Sequence, residues 1–197
     1  MNRVIIVGQK KTAKIALLRS LFEGVTERSD GDDNSGLILS NVPLSTRYYS
    51  CNLDFMVDEY DDSKEWEDWC EEILSVEALE LREAINGIIF IFDFSSKSIL
   101  QDLTKLSKVY DQIEQDFLLR NKDSIQWEGI KLAVGFSRSP VAQQLLDEVY
   151  DASLEKGIEL VDLSIASQEN AYGEATGIRR VKEILETCSW PDVVKLR

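Results

Sequence analysis

The sequence predicts a three-layer α/β/α sandwich, with a six-stranded, mostly parallel sheet, one antiparallel edge hairpin, and helices on both faces. Three observations predict it. The run from Gly87 to Phe92 is continuously apolar, as expected of a strand buried on both faces. Similar runs alternate with stretches of helical spacing through the second half of the chain, which is the rhythm of strand–helix–strand crossovers. Residues 37–57 interrupt that rhythm with two successive strand patterns, the second alternating apolar and mixed positions in the manner of an antiparallel pair with one solvated face. A chain of 197 residues with 44% hydrophobic residues is read as one domain, 1–197, able to bury a core without disulfides or metals.

The elements follow in order. Arg3 to Gly8 reads as a strand, Gln9 to Ala13 as a basic turn, and the following stretch as a helix with Ile15, Leu18, Leu21 and Phe22 on one face. Residues 23–36 hold three glycines and few apolar groups, which predicts a mobile loop. Leu37 to Val42 is the next strand, Pro43 to Ser45 a turn, and Thr46 to Val57 a long strand whose Tyr49, Cys51, Leu53, Phe55 and Val57 share a face. The spacing then predicts an acidic amphipathic helix from about Ser63 to Ile85. Beyond the Gly87 strand, Ile99, Leu103, Leu106, Tyr110, Ile113 and Phe117 mark a helix ending near Leu119. Ile130 to Phe136 is a strand, Ser139 and Pro140 fit the N-cap and first position of a helix, and Gly157 fits its C-terminal stop. Ile158 to Leu163 is the last predicted strand, and a helix starting near Thr176 ends before Pro191.

Composition narrows the function. There is no histidine, which removes Ser-His-Asp and Cys-His nucleophile pairs and His-ligated metals. Cys51, Cys70 and Cys188 stand far apart without C-x-x-C spacing, so no metal site or disulfide framework is expected. The net charge of −14 argues against nucleic acid and anionic membrane surfaces and favours basic partners. The charge is uneven, since residues 1–28 carry six bases against two acids. No apolar run approaches the ~20 residues that span a bilayer, and the expected location is cytoplasmic.

Strand–helix alternation after an early hairpin is the layout of Ras-like G-domains, whose ligands sit at the carboxyl ends of the strands. Here that rim would gather Gly8 to Lys14, Asp93 to Ser95, Gly135 to Ser139 and Ser164 to Ser167. A phosphate loop needs G-x-x-x-x-G-K-[ST], in which backbone N–H groups and Lys hold phosphate and the hydroxyl holds Mg²⁺. Gly8 and Lys14 are in register, but Ala13 replaces the second glycine and Ile15 the hydroxyl. The D-x-x-G position reads Asp58-Glu59-Tyr60-Asp61, and the guanine-reading N-K-x-D position reads Phe136-Ser137-Arg138-Ser139. Phosphoryl transfer depends on metal and positioning, so a nucleotide-free protein-binding scaffold is the reading, with no cofactor, no metal and no catalytic residue; an atypical small GTPase is the alternative. Lys14 reads as a solvated helix-end lysine that could hold an anion.

From Asp58 to Glu72 there are nine acids and one base, Lys64. Trp66 and Trp69 in this stretch read either as core residues of the amphipathic helix or as anchors of an acidic-aromatic docking patch. In the second case Asp61, Asp62, Glu65 and Asp68 would steer a basic partner. Trp190, just before Pro191, either staples the chain end to the body or stands exposed as a further anchor. The hairpin edge from Leu37 to Val57 is another candidate docking surface.

Several blocks resemble the alpha- and gamma-adaptin-binding protein family, whose fungal branch is the increased recombination centers protein family. They are Tyr48-Tyr49-Ser50, the strand from Gly87 to Ser95, Lys156 to Ser164, Ala175 to Val181, Ser189-Trp190 and Val193-Val194. The match runs in order from about Thr46 to the C-terminus, and the more specific blocks are Lys156 to Ser164 and Ala175 to Val181 with Ser189-Trp190 and Val193-Val194. The resemblance implies a Rab-like G-domain fold without a working nucleotide site, binding to large subunits of clathrin adaptor complexes, and a role in clathrin-coated vesicle traffic. Some fungal relatives are linked to Rab GTPases, which makes a Rab-effector module a further alternative. Metazoan members continue past the Trp190 block, whereas this chain ends at Arg197, so contacts made by that extension do not carry over.

Overall fold

The fully apolar runs become neighbouring strands in a computed structural model that describes residues 1–196. β1 (Asn2–Gln9) pairs in parallel with both β3 (Tyr49–Tyr60) and β4 (Gly87–Asp93). Parallel pairing continues to β5 (Ile130–Phe136) and β6 (Glu159–Asp162), while β2 (Leu37–Ser45) runs antiparallel to β3 at the edge. The order is β2-β3-β1-β4-β5-β6. The sheet has seven strands rather than six, because β7 (Val194–Lys195) pairs antiparallel with Tyr49 and Ser50 of β3. Asn2 makes this possible: its side-chain N–H₂ donates to the carbonyls of Asn52 and Asp192, and its oxygen accepts from the Asp192 amide. A two-residue strand held from the far end of the chain leaves no periodic trace in sequence.

Alternation along β1 divides the core. Val4 and Ile6 face α1 (Lys14–Leu21) and α6 (Gly177–Thr187); Ile5 and Val7 face α2 (Ser63–Leu74) and α4 (Ile99–Arg120), with α5 (Gln143–Glu155) on the same side. Three layers result, with the parallel strands in the middle.

Some expected boundaries move, each for a local reason. The acidic helix does not continue to Ile85. It stops at Leu74, gives a 3-10 turn at Val76–Ala78, and restarts as α3 (Leu79–Ala84). The buried Arg82 guanidinium donates to the carbonyls of Ile73 and Ser75 at 2.6 Å each and pairs with Asp116 at 2.6 Å. It satisfies carbonyls that the end of α2 leaves free, so the break is stabilised by side-chain chemistry rather than by glycine or proline. β2 runs through Pro43, which an edge strand tolerates because no partner needs its amide. Its pairing shifts between Leu39 and Val42, where Asn41 adopts a left-handed φ of 58° and its amide donates to Asp54. Thr46 belongs to the hairpin turn, closed by its amide donating to the Tyr49 carbonyl, and β3 extends to Tyr60 opposite Gln9. α5 begins at Gln143 rather than at Ser139-Pro140, since the backbone of Ser139 is engaged locally by the Ser137 hydroxyl.

Candidate functional site

Parallel pairing of β1, β4, β5 and β6 brings their carboxyl ends to one rim, with the Phe94 amide donating to Phe136 and the Leu163 amide to Gly135. Gly8 is required there by packing: a Cβ would stand 2.5 Å from the Ile91 carbonyl oxygen of β4 and 2.9 Å from Thr12 Oγ1. The loop after β1 then closes on itself. Lys11 takes a left-handed φ of 61°, and the Thr12 hydroxyl donates to the Gln9 carbonyl at 2.7 Å.

Lys14 is not the solvated lysine expected. It is fully buried, and its Nζ donates to the Gln9 carbonyl at 2.7 Å and to Thr12 Oγ1 at 2.9 Å. It also lies 3.0 Å from Oε1 of Glu59, whose side chain is equally buried. The other Glu59 oxygen accepts from the Asn34 amide at 3.0 Å. Burial pushes the Lys14 ammonium below its ordinary pKa, and the neighbouring Glu59 carboxylate opposes that shift.

The first turn of α1 carries a second internal ligand. The free amides of Ile15 and Ala16 donate to the two carboxylate oxygens of Asp30, at 2.7 and 3.0 Å. A carboxylate at a helix N-terminus satisfies orphan N–H groups and meets the positive end of the helix dipole. The loop of residues 23–36 therefore has fixed attachments rather than the freedom expected of it: Asp30 to α1, Asn34 to Glu59, and the Asn34 side chain to the carbonyls of Ser29 and Asp32.

In a phosphate loop, the lysine and the helix amides are the two groups that receive phosphate. Here Glu59 takes the lysine and Asp30 takes the amides. The remaining rim loops are likewise tied internally, with Asp93 accepting from the Ser95 amide and Asp162 accepting from both the amide and hydroxyl of Ser164. Ala13 and Ile15 add no donor side chain, and Ile15 is buried in the core.

The acidic stretch beside this rim is part structural, part surface. Trp66 is fully buried, stacked on Phe90 with centroids 4.9 Å apart and on Trp69 at 5.1 Å, so it is not available as a surface anchor. Trp69 is half-buried, and its indole N–H donates to Asp58 at 3.0 Å. Asp62 caps α2 by accepting from the amides of Lys64 and Glu65, while the Glu65 carboxylate accepts from the Asp61 amide, a variant of the capping box. Asp61 and Asp68 are exposed and paired with Lys10 and Lys64. Trp190 lies at the far end of the sheet, 6% exposed, its indole N–H donating to the Leu185 carbonyl at 2.8 Å; it staples the chain end to α6 rather than standing free. The structure thus separates Trp190 from the acidic helix and brings Lys14 to Glu59.

No established protein-family model matches the chain. Curated relatives do. Increased recombination centers protein 6 of Candida dubliniensis is 32% identical over 209 residues, spanning 98% of this chain and 73% of the relative. The protein of that name from Candida albicans is 30% identical over 210 residues, spanning 100% and 74%. This chain belongs to the increased recombination centers protein 6 family. The crystal structure of yeast Irc6p, described as a novel type of conserved clathrin accessory protein, matches with a TM-score of 0.67 over 100% of this chain and 97% of that one, at 23% identity. At that identity the likeness is one of fold.

In this member of the increased recombination centers protein 6 family, sequence reasoning missed the two carboxylates that fill the cradle. One signal for Glu59 was present: it continues the alternation of Leu53, Phe55 and Val57 and so falls on the inward face of β3. Nothing local marked Asp30 as the cap of a helix that precedes it.

Proposed function

We propose that the chain is a non-enzymatic accessory protein of the clathrin machinery. It is one domain on a Ras- or Rab-like G-domain scaffold, needs no nucleotide or metal, and works by binding large adaptin subunits of clathrin adaptor complexes. The observation that carries this reading is the filled cradle, with Glu59 on Lys14 and Asp30 on the α1 amides. A nucleotide would have to displace two carboxylates and leave them beside its own phosphates. The strand order and the crossovers from β1 to β4 to β5 to β6 support the G-domain comparison. The clathrin assignment draws on the description of yeast Irc6p, and the acidic α2 surface suits a basic partner. No described helix is long and apolar enough to cross a membrane, so vesicle association would run through partners.

Two experiments test the reading. Calorimetry with GTP, GDP and Mg²⁺ is expected to give no binding heat, and micromolar affinity would overturn the closed cradle in favour of an atypical GTPase. Affinity capture of the tagged chain from its own cytosol is expected to recover adaptin large subunits. Recovery of a GTP-loaded Rab without adaptin would replace this reading with that of a Rab effector. Charge reversal for mapping belongs at Asp61 and Asp68, because Asp62 and Glu65 also hold the start of α2.

A further inference from the structure

The opposite end of the sheet, at the amino ends of β4, β5 and β6, is open. Three cavities lie there in series. One of about 250 Å³ is bounded by Arg82 and Phe117, a second of about 430 Å³ by Asp123, Ile125 and Pro191, and a third of about 520 Å³ reaches Arg180 and Ile184. Trp127 borders all three, Phe117 is shared by the first two and Glu128 and Cys188 by the last two, so they are adjoining parts of one groove around Trp127. That indole is closely packed: it is 9% exposed, its ring centroid is 6.4 Å from that of Tyr110, and a Cβ on Gly129 would stand 2.1 Å from its Cζ2.

The groove has an uneven character along its length. At its ends the carboxylates are neutralised, Glu83 by Arg120 and Glu159 by Arg180. In the central part Asp123 and Glu128 are both exposed and, among the described residues, neither has an ion-pair partner. They stand beside Phe117, Trp127 and Pro191, and beside Ile125, which is 92% exposed. The groove thus joins apolar walls to two unneutralised carboxylates on a protein of net charge −14.

We infer that this groove docks an extended peptide segment of a partner protein in which apolar side chains alternate with lysine or arginine. An extended strand sends successive side chains to opposite sides. One set packs against Phe117, Trp127 and Pro191 and covers Ile125, and the other reaches Asp123 and Glu128. The carboxylates select a basic segment and speed its encounter, and the apolar wall supplies the desolvated contact. The inference is independent of the clathrin reading, since it rests on a different surface and names a ligand chemistry rather than a partner.

The test is fluorescence anisotropy on the full chain with a labelled, capped nonapeptide alternating leucine and lysine. Two controls replace lysine by glutamate or leucine by serine. The leucine–lysine peptide is expected to bind in the micromolar range and both controls to bind at least about tenfold more weakly, as expected where steering and burial both contribute. The pair Asp123→Lys with Glu128→Lys, and separately Ile125→Ser, should weaken binding by a similar factor; these side chains are exposed, so the fold should survive, and circular dichroism verifies it. The pair Glu71→Lys with Glu72→Lys on exposed positions of α2 should leave binding unchanged. Amide shifts in a nitrogen-15 titration should concentrate on residues 123–129 and 188–191. Absence of binding, equal binding of the glutamate peptide, or equal loss on the α2 reversal would overturn the proposal. So would a dimer that dissociates on Ile125→Asp, which would assign the groove to a second copy of the chain.

Discussion

At the carboxyl end of the sheet the chain supplies its own counter-ions: Lys14 has Glu59, and the first turn of α1 has Asp30. At the amino end, Asp123 and Glu128 face solvent over a groove walled by Trp127. The same sheet therefore has one rim where Lys14 and the α1 amides are paired internally, and one where two carboxylates, Asp123 and Glu128, have no ion-pair partner among the described residues. In a sandwich of this kind the carboxyl rim is the usual ligand site. Here the lysine and the helix amides at that rim already have carboxylate partners within the chain.

The contrast breaks most visibly at Glu59. Replacing it by Ala leaves a buried ammonium without its partner and is expected to cost about 3–5 kcal/mol, read from urea unfolding. The double change Lys14→Met with Glu59→Leu should be close to neutral, because an apolar pair avoids desolvating two charges. If Glu59→Ala proves harmless, the rim is not closed by this pair.

On the open rim, Gly129→Ala should displace the Trp127 ring, whose Cζ2 would stand 2.1 Å from the new Cβ, costing about 1–3 kcal/mol as overpacking does. Near-ultraviolet circular dichroism and the unfolding midpoint would both register it. An unchanged signal would mean that Trp127 is not fixed and that the groove lacks a rigid wall.

Cys188, which also borders the groove, gives a pH signature. Burial pushes its thiol up to about 11 from 9.0. In the folded chain the proton is held between those values while the unfolded chain loses it, so the native state binds more protons there. Stability from this group is then complete below pH 9.0 and falls as pH rises through about 11, by at most about 1.4 kcal/mol per pH unit. Cys188→Ala should flatten that part of the stability curve, and an identical decline in the variant would locate the cause elsewhere. The smallest effect belongs to Asp30→Ala, about 1 kcal/mol for a lost N-terminal cap, measured by thermal unfolding.

Much of this architecture was legible in order. Period-two alternation in β3 and continuous apolar runs at β1 and β4 located the sheet, because burial on one or two faces is written directly into spacing. The same alternation extends to Glu59, yet it says only that the residue points inward, not what it meets. Lys14 meets Glu59, and α1 meets Asp30, across chain crossings that sequence spacing does not encode, so the departures from G-x-x-x-x-G-K-[ST] could be read while the two carboxylate partners could not. Trp66 and Trp69 fell within one apolar stripe, but which of them is covered depends on Phe90 of another strand. The groove had no signal at all: residues 121–129 have no periodicity, and their importance comes from the helices and chain end that meet around Trp127.

The irregularity in β2 bears on how the chain behaves in a crowded solution. An edge strand of nine residues would ordinarily offer a continuous row of amides and carbonyls to any passing strand. Asn41 turns the backbone through a left-handed position and Pro43 removes an amide two residues later, so the row is cut into short pieces. No long stretch of this edge can be extended by another chain, which discourages stacking of copies into fibres. It also weakens the case for the hairpin edge as a docking strand and leaves the helix surfaces and the amino-end groove as the better places for a partner to bind.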